Sequence, residues 1–253
     1  MGYAQLVFSP TGGTMKVAQA ISSAWTGETA SIDLTDGAVD FAQYAFQADD
    51  LVLIALPSYG GRVPALAADR LSEVQGNGAK CVLLCVYGNR AYEDTLIEMR
   101  DIAQQCGFCV LAAIAAVAEH SIMHQYAAGR PDTADIGTLQ GVGEKVLQKF
   151  CSGDRQLPAI PGNQPYKKAG SGGLVPQGGK TCVDCGQCAE QCPAQAIPRD
   201  DPRKTDGKKC ISCMRCVVRC PNGARKVNGA MVSVAALAIK KACSVRKECE
   251  LYL

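Results

Sequence analysis

Along residues 1–150, short unbroken apolar runs alternate with stretches of helical spacing. Tyr3 to Phe8 reads as a strand that stops at the turn-forming Ser9-Pro10-Thr11-Gly12-Gly13, and a helical pattern follows from Thr14 to about Ala24. Ala30 to Asp33 is a weaker strand, and Leu51 to Leu56 is an apolar run halted by Pro57. Pro64 to Leu71 has helical spacing, Cys81 to Tyr87 is a further strand, and Asp94 to Cys106 is the helix after it. Cys109 to Ala116 closes the strand series and Thr133 to Phe150 the helices. Strands apolar on both faces and alternating with helices imply a parallel sheet covered on both sides. Five such strands predict an α/β, doubly wound five-stranded parallel sheet over residues 1–151.

The pattern breaks at Ser152. Residues 152–179 hold Pro158, Pro161, Pro165 and Pro176 with little periodicity, which predicts an inter-domain linker lying along a surface. Residues 180–229 form a second, cysteine-rich module, read as a small α+β domain. In the tail, 230–253, Val232 to Lys241 is apolar then basic, as expected of a helix that packs back on another element.

The second module repeats itself. Cys182, Cys185, Cys188 and Cys192 recur 28 residues later as Cys210, Cys213, Cys216 and Cys220, with Pro193 and Pro221 closing the two sets. C-x2-C-x2-C-x3-C-P written twice is the spacing of bacterial two-[4Fe–4S] ferredoxins. Two intervening residues let three thiolates curl around one face of a cubane, and the fourth cysteine is carried to the other cluster. One cluster is therefore assigned to Cys182, Cys185, Cys188 and Cys220, and the other to Cys210, Cys213, Cys216 and Cys192. Paired zinc sites would use two C-x2-C pairs each and need neither the third cysteine nor the proline. Seven further cysteines, at 81, 85, 106, 109, 151, 243 and 249, read as small apolar residues or incidental thiols.

Composition narrows the classes. The chain has 253 residues, 47% hydrophobic and 20% charged, which suits a protein with a real core. No apolar run reaches transmembrane length, and Met1-Gly2-Tyr3-Ala4-Gln5 lacks a basic leader, so a cytoplasmic location without membrane insertion is expected. Residues 1–150 carry 9 Lys/Arg against 16 Asp/Glu, a net of −7, while residues 180–229 carry 10 against 5, a net of +5. Two oxidised clusters with their thiolates would bring roughly −4 to the second module, so its basic residues need not imply nucleic acid. There is no nicotinamide fingerprint following a strand, no P-loop and no Gly-x-Ser-x-Gly elbow. His120 and His124, four apart and after the last strand, read as structural or as part of a loop near a ligand, rather than as metal ligands.

Phe8-Ser9-Pro10-Thr11-Gly12-Gly13-Thr14 resembles the phosphate loop of flavodoxins, usually Ser/Thr-x-Thr-Gly-Asn-Thr. That resemblance implies FMN, with Ser9, Thr11 and Thr14 as hydroxyl donors, Gly12 at the tight turn, and Gly13 where the family mostly has asparagine. Two more loops fall where this fold places its ligand, outside the carboxyl ends of the strands at the switch point. Pro57-Ser58-Tyr59-Gly60-Gly61 offers Tyr59 to stack on the flavin ring and two glycines for close backbone approach. Tyr87-Gly88-Asn89-Arg90-Ala91-Tyr92 is placed like the second ring loop, although Tyr87 also fits as a strand end and Tyr92 as a helix-packing aromatic.

A flavodoxin-like half, a Pro/Gly linker and a two-cluster half together resemble the EFR1-family flavodoxin–ferredoxin fusion proteins of anaerobic bacteria. The Tyr-Gly-Asn-Arg run at 87–90, the segments Ala118-Glu119-His120-Ser121 and Gly129-Arg130-Pro131-Asp132, and the ending from Arg246 to Leu253 carry that likeness. The resemblance implies FMN and two [4Fe–4S] clusters in an electron-transfer protein with redox partner proteins of unspecified identity, a homodimer being one arrangement open to it. The alternative is an FMN-dependent reductase of a quinone or other small acceptor, fed by the clusters.

Overall fold

The computed structural model describes residues 2–170 and 173–253. Five strands lie parallel: β1 (Tyr3–Val7), β2 (Thr29–Asp33), β3 (Leu51–Pro57), β4 (Lys80–Tyr87) and β5 (Cys109–Val117). Their order is β2-β1-β3-β4-β5, the doubly wound flavodoxin-like order, with the crossover reversing between β1 and β3. Every residue of β3 is buried, as its unbroken apolar run requires. Alternate residues feed opposite layers. Leu51, Leu53 and Ala55 meet Val17, Ile21, Leu139, Val142 and Val146 of α1 (Gly13–Ser22) and α4 (Thr133–Ser152). Val52, Ile54 and Leu56 meet Leu71, Leu96 and Met99 of α2 (Ala65–Ser72) and α3 (Thr95–Gln105).

The segment after α4 is laced across the N-terminus of α3. Asn163 and Lys167 donate backbone N–H groups to the two carboxylate oxygens of Asp94, at 2.9 and 2.7 Å. The Arg62 guanidinium lies 4.8 Å from the Tyr166 ring and donates to Lys167 O at 2.6 Å.

The cysteine-rich module folds as two copies of one backbone path. A short ladder joins β6 (Gln177–Gly178) to β7 (Arg225–Lys226), and α5 (Gln187–Glu190) and α6 (Arg215–Val218) stand 28 residues apart. Left-handed residues recur at the same offset: Asp184 with Ser212, Gly186 with Met214, Gln195 with Gly223. So do two N–H groups aimed at sulfur, Ala196 N–H to Cys192 Sγ at 3.3 Å and Ala224 N–H to Cys220 Sγ at 3.2 Å. The module's own apolar cluster of buried residues is only Cys188, Ala189 and Ile197. A core that small does not hold a domain together without metal or disulfide reinforcement.

The tail departs from the sequence expectation. The anticipated helix is present as α7 (Gly229–Cys243), but the chain then returns to the sheet as β8 (Glu250–Tyr252), antiparallel to β5. The sheet therefore has six strands rather than five. Three residues, one of them charged, are too few to show a strand period. What holds them is the open edge of β5, whose unpaired backbone groups need a partner.

Candidate functional site

Two small cavities lie in the cysteine-rich module. Cys182, Cys185, Cys188 and Cys220 line one; Cys192, Cys210, Cys213 and Cys216 line the other. The fourth cysteine of each repeat thus crosses to the cavity of the other. Among the described residues no three Cys, His, Asp or Glu side chains come close enough together to hold a single metal ion. A zinc site would need sulfurs within about 2.3 Å of one centre. Quartets that share a cavity while standing apart fit a larger polynuclear group. Burial pushes the Cys213 thiol up to about 12, so its deprotonation has to accompany metal binding.

Between the quartets lies Arg225, only 1% exposed. Its guanidinium donates to Pro202 O at 2.6 Å and Pro176 O at 2.8 Å, tying the segment between the repeats to the residue just before β6. Composition alone marked Arg225 as one basic residue among ten. Its burial next to both cavities makes it a fixed positive charge beside the thiolates.

The three loops of the switch point gather at the carboxyl ends of β1, β3 and β4. In the first, Ser9 N–H donates to Thr35 Oγ1 at 2.8 Å, and Ser9 Oγ accepts Met15 N–H at 2.9 Å, leaving the hydroxyl proton free to donate. Gly12 is left-handed (φ 93°) with open space where a Cβ would stand, and α1 begins there without a side-chain cap. The first-turn N–H groups of Gly13 and Thr14 therefore have no partner within the helix. Thr14 is buried and Thr11 half-buried.

In the second loop, Tyr59 and Arg62 exchange backbone hydrogen bonds at 2.9 and 3.3 Å around Gly60 (φ 62°) and Gly61 (φ 84°). Two successive left-handed residues are what a tight two-residue turn demands, and glycine takes them without strain. The loop is braced on α3: Ser58 Oγ is 2.7 Å from Thr95 Oγ1, and Arg62 pairs bidentately with Glu98 at 2.8 and 2.7 Å. Burial pushes the Tyr59 phenol well above its usual range.

The third loop is organised differently from the flavin-facing role expected of its side chains. Asn89 is 3% exposed; its amide donates to Cys243 O at 3.0 Å and Val245 O at 2.9 Å, and its carbonyl accepts Lys247 N–H at 3.3 Å. Arg90 pairs with Glu93 at 2.9 Å, and the Tyr92 hydroxyl sits between Glu250 and Tyr252 at 2.8 and 2.9 Å. Tyr87 is buried in edge-on contact with Tyr92, centroids 5.3 Å apart. The Asn89 and Tyr92 side chains thus serve the C-terminal tail. Gly88 backs on His120, since a Cβ there would lie 2.7 Å from its ring. His120 Nδ1 accepts the N–H groups of Ile122 and Met123, both at 3.2 Å, a structural role that fixes the proton on Nε2.

Sequence reasoning missed the receptor for the tail. Arg130 pairs with Asp135 and donates to Lys247 O at 2.7 Å; Arg246 meets Asp132 at 2.9 Å and Asp135 at 2.8 Å. The segments 87–90, 129–132 and 246–253, singled out as motifs, converge here on one another.

Residues 181–225 match the family model described as a 4Fe-4S dicluster domain. No curated protein matches the chain. Among solved structures, a flavodoxin of Streptococcus pneumoniae TIGR4 is 18% identical, covering 58% of this chain and 99% of that one, with a TM-score of 0.42. Oxidised flavodoxin 1 from Bacillus cereus is 14% identical over 61% of this chain and 99% of its own, TM-score 0.41. The rubredoxin oxygen:oxidoreductase of Desulfovibrio gigas is 12% identical over 59% of this chain and 35% of its own, TM-score 0.41. The chain thus joins an α/β domain of doubly wound strand order to a module that matches a 4Fe-4S dicluster domain. No helix among the described residues is long and apolar enough to cross a membrane.

Proposed function

We propose that this chain is an electron-transfer iron–sulfur flavoprotein of the EFR1 type, holding two [4Fe–4S] clusters and one FMN and serving redox partner proteins in the cytoplasm. The observation that carries the reading is the crossed gathering of the eight cysteines into two cavities, in a module whose backbone repeats at the same 28-residue offset. Bound clusters would supply one-electron steps and FMN one or two, so the chain suits exchange between carriers of different electron number.

The protein's share is binding and placement. Cys182, Cys185, Cys188 and Cys220 would hold one cluster, and Cys192, Cys210, Cys213 and Cys216 the other, with Ala196 and Ala224 N–H groups donating to ligand sulfur. Arg225 offsets thiolate charge, a lever that raises reduction potential. At the switch point, the Ser9 hydroxyl, the Thr11 and Thr14 hydroxyls and the uncapped N-terminus of α1 would take the FMN phosphate. Pro57, Ser58, Tyr59, Gly60 and Gly61 would cover one side of the ring, and the backbone of Tyr87 to Tyr92 the other. Anaerobic purification followed by flavin extraction and metal analysis tests this: FMN with iron and acid-labile sulfide is expected, whereas FAD, or zinc without sulfide, overturns it.

A further inference from the structure

The two cysteine cavities are not equivalent with respect to the flavodoxin-like domain. Pro193, which follows Cys192, lines the second cavity, and its carbonyl accepts the Arg70 guanidinium at 2.8 Å in a buried bond. The same guanidinium donates to Leu34 O at 2.7 Å, so one buried arginine staples that loop to the segment just after β2. Ile211, between Cys210 and Cys213, packs on the apolar cluster beneath α2 and α3.

The first cavity has no such attachment. Among the described residues, the hydrogen bonds of its lining groups stay within residues 176–225: Cys188 to Pro202, Arg225 to Pro202 and Pro176, Ala224 to Gly179 and to Cys220. Cys185 is exposed, and Val183, beside Cys182, is 66% exposed.

Resting on the function proposed above, the geometry assigns an order to the two sites. The quartet Cys192, Cys210, Cys213 and Cys216 is the internal relay, held against the flavodoxin-like domain by Arg70 and Ile211. The quartet Cys182, Cys185, Cys188 and Cys220 is the terminal at which a one-electron carrier protein exchanges electrons. In the reducing direction the carrier loses one electron to the terminal site, which passes it to the relay. Two such passages, with two protons from solvent, complete a two-electron reduction at the flavin site. The reverse direction runs through the same sites with every sign changed.

Arg70 is the positioning residue that makes this order testable without touching a ligand or a flavin loop. The full-length holoprotein is mixed anaerobically with a chemically reduced plant-type [2Fe–2S] ferredoxin. Flavin absorbance is followed by stopped flow, and cluster reduction by freeze-quench EPR. In Cys213→Ser the terminal cluster should reduce as fast as in wild type while flavin bleaching slows by about tenfold or more. In Cys185→Ser, the relay cluster and the flavin should slow together by a similar factor. In Arg70→Met, with iron, sulfide and FMN contents unchanged, both clusters should reduce normally and flavin alone should lag. Wild-type flavin reduction in both Cys185→Ser and Arg70→Met overturns the order, as does an intact relay rate in Cys185→Ser. If Cys213→Ser does not fold, Arg70→Met decides. Wild-type protein without FMN, or with a single cluster, would instead sink the functional reading itself.

Discussion

Replacing Asn89 by alanine should detach the C-terminal tail. Asn89 is 3% exposed and makes three hydrogen bonds to the tail, at 3.0, 2.9 and 3.3 Å. Leaving a buried partner unsatisfied costs roughly 1–3 kcal/mol each. Ser244 and Val245 are exposed, so water can reach part of the freed backbone and the sum falls well short of three full penalties. We expect about 2–3 kcal/mol from the lost bonds. Asn89 is also left-handed (φ 66°), where alanine's Cβ adds roughly 1 kcal/mol that asparagine partly escapes. Asn89→Gly loses the same bonds without that strain and should be milder by about 1 kcal/mol. Urea unfolding at constant m measures the difference, and hydrogen exchange of Glu250 to Tyr252 reports the tail directly. Because the tail fixes the 87–92 loop, FMN affinity should fall in both variants. An effect below about 1 kcal/mol, glycine no milder than alanine, or β8 amides as protected as in wild type would refute the reasoning.

Gly60→Ala meets only ordinary contact, with Gly170 N 3.9 Å away, and should cost just the left-handed penalty of about 1 kcal/mol, whereas Gly61→Ala drives a Cβ into the Glu93 side chain and should be clearly worse, as read by thermal unfolding. Thr11→Ala and Thr14→Ala should each weaken FMN binding by about 1–3 kcal/mol in a fluorescence titration of the apoprotein, the cost of one bond to a charged acceptor. Cys192→Ser should damage the cluster of Cys210, Cys213 and Cys216 and spare its neighbour, resolved by EPR of the two reduced centres. Burial depresses the His120 pKa, with the nearby charges of His124 and Arg90 adding to it. The unfolded chain therefore takes up the proton first. Its contribution to stability should be complete above about pH 6.5 and decline as the pH falls towards the lowered value, a slope that His120→Gln removes from a pH series of unfolding curves.

The sheet was readable because β3, β4 and β5 are buried on both faces, so burial wrote unbroken apolar runs of strand length. The cluster module was readable because eight ligands at fixed spacing leave a period in the sequence, and its backbone carries that period too. The tail was not readable. β8 is held by a sheet edge and by charged pairs such as Arg246 with Asp135, 111 residues apart in the chain. For the same reason Asn89 read as a flavin contact: a buried polar residue in a ligand loop looks alike whether its partner is a cofactor or a distant backbone. The Arg70 staple is a side chain meeting a single carbonyl, which leaves no pattern at either end.

An anaerobic reductive titration of the purified holoprotein, followed by absorbance and EPR together, puts the iron–sulfur flavoprotein reading to its most direct test. Two clusters taking one electron each and a flavin taking two predict uptake of about four electrons per chain, with two cluster signals and full loss of flavin absorbance. Uptake of about two electrons, from a flavin without clusters or from clusters without a flavin, would contradict it.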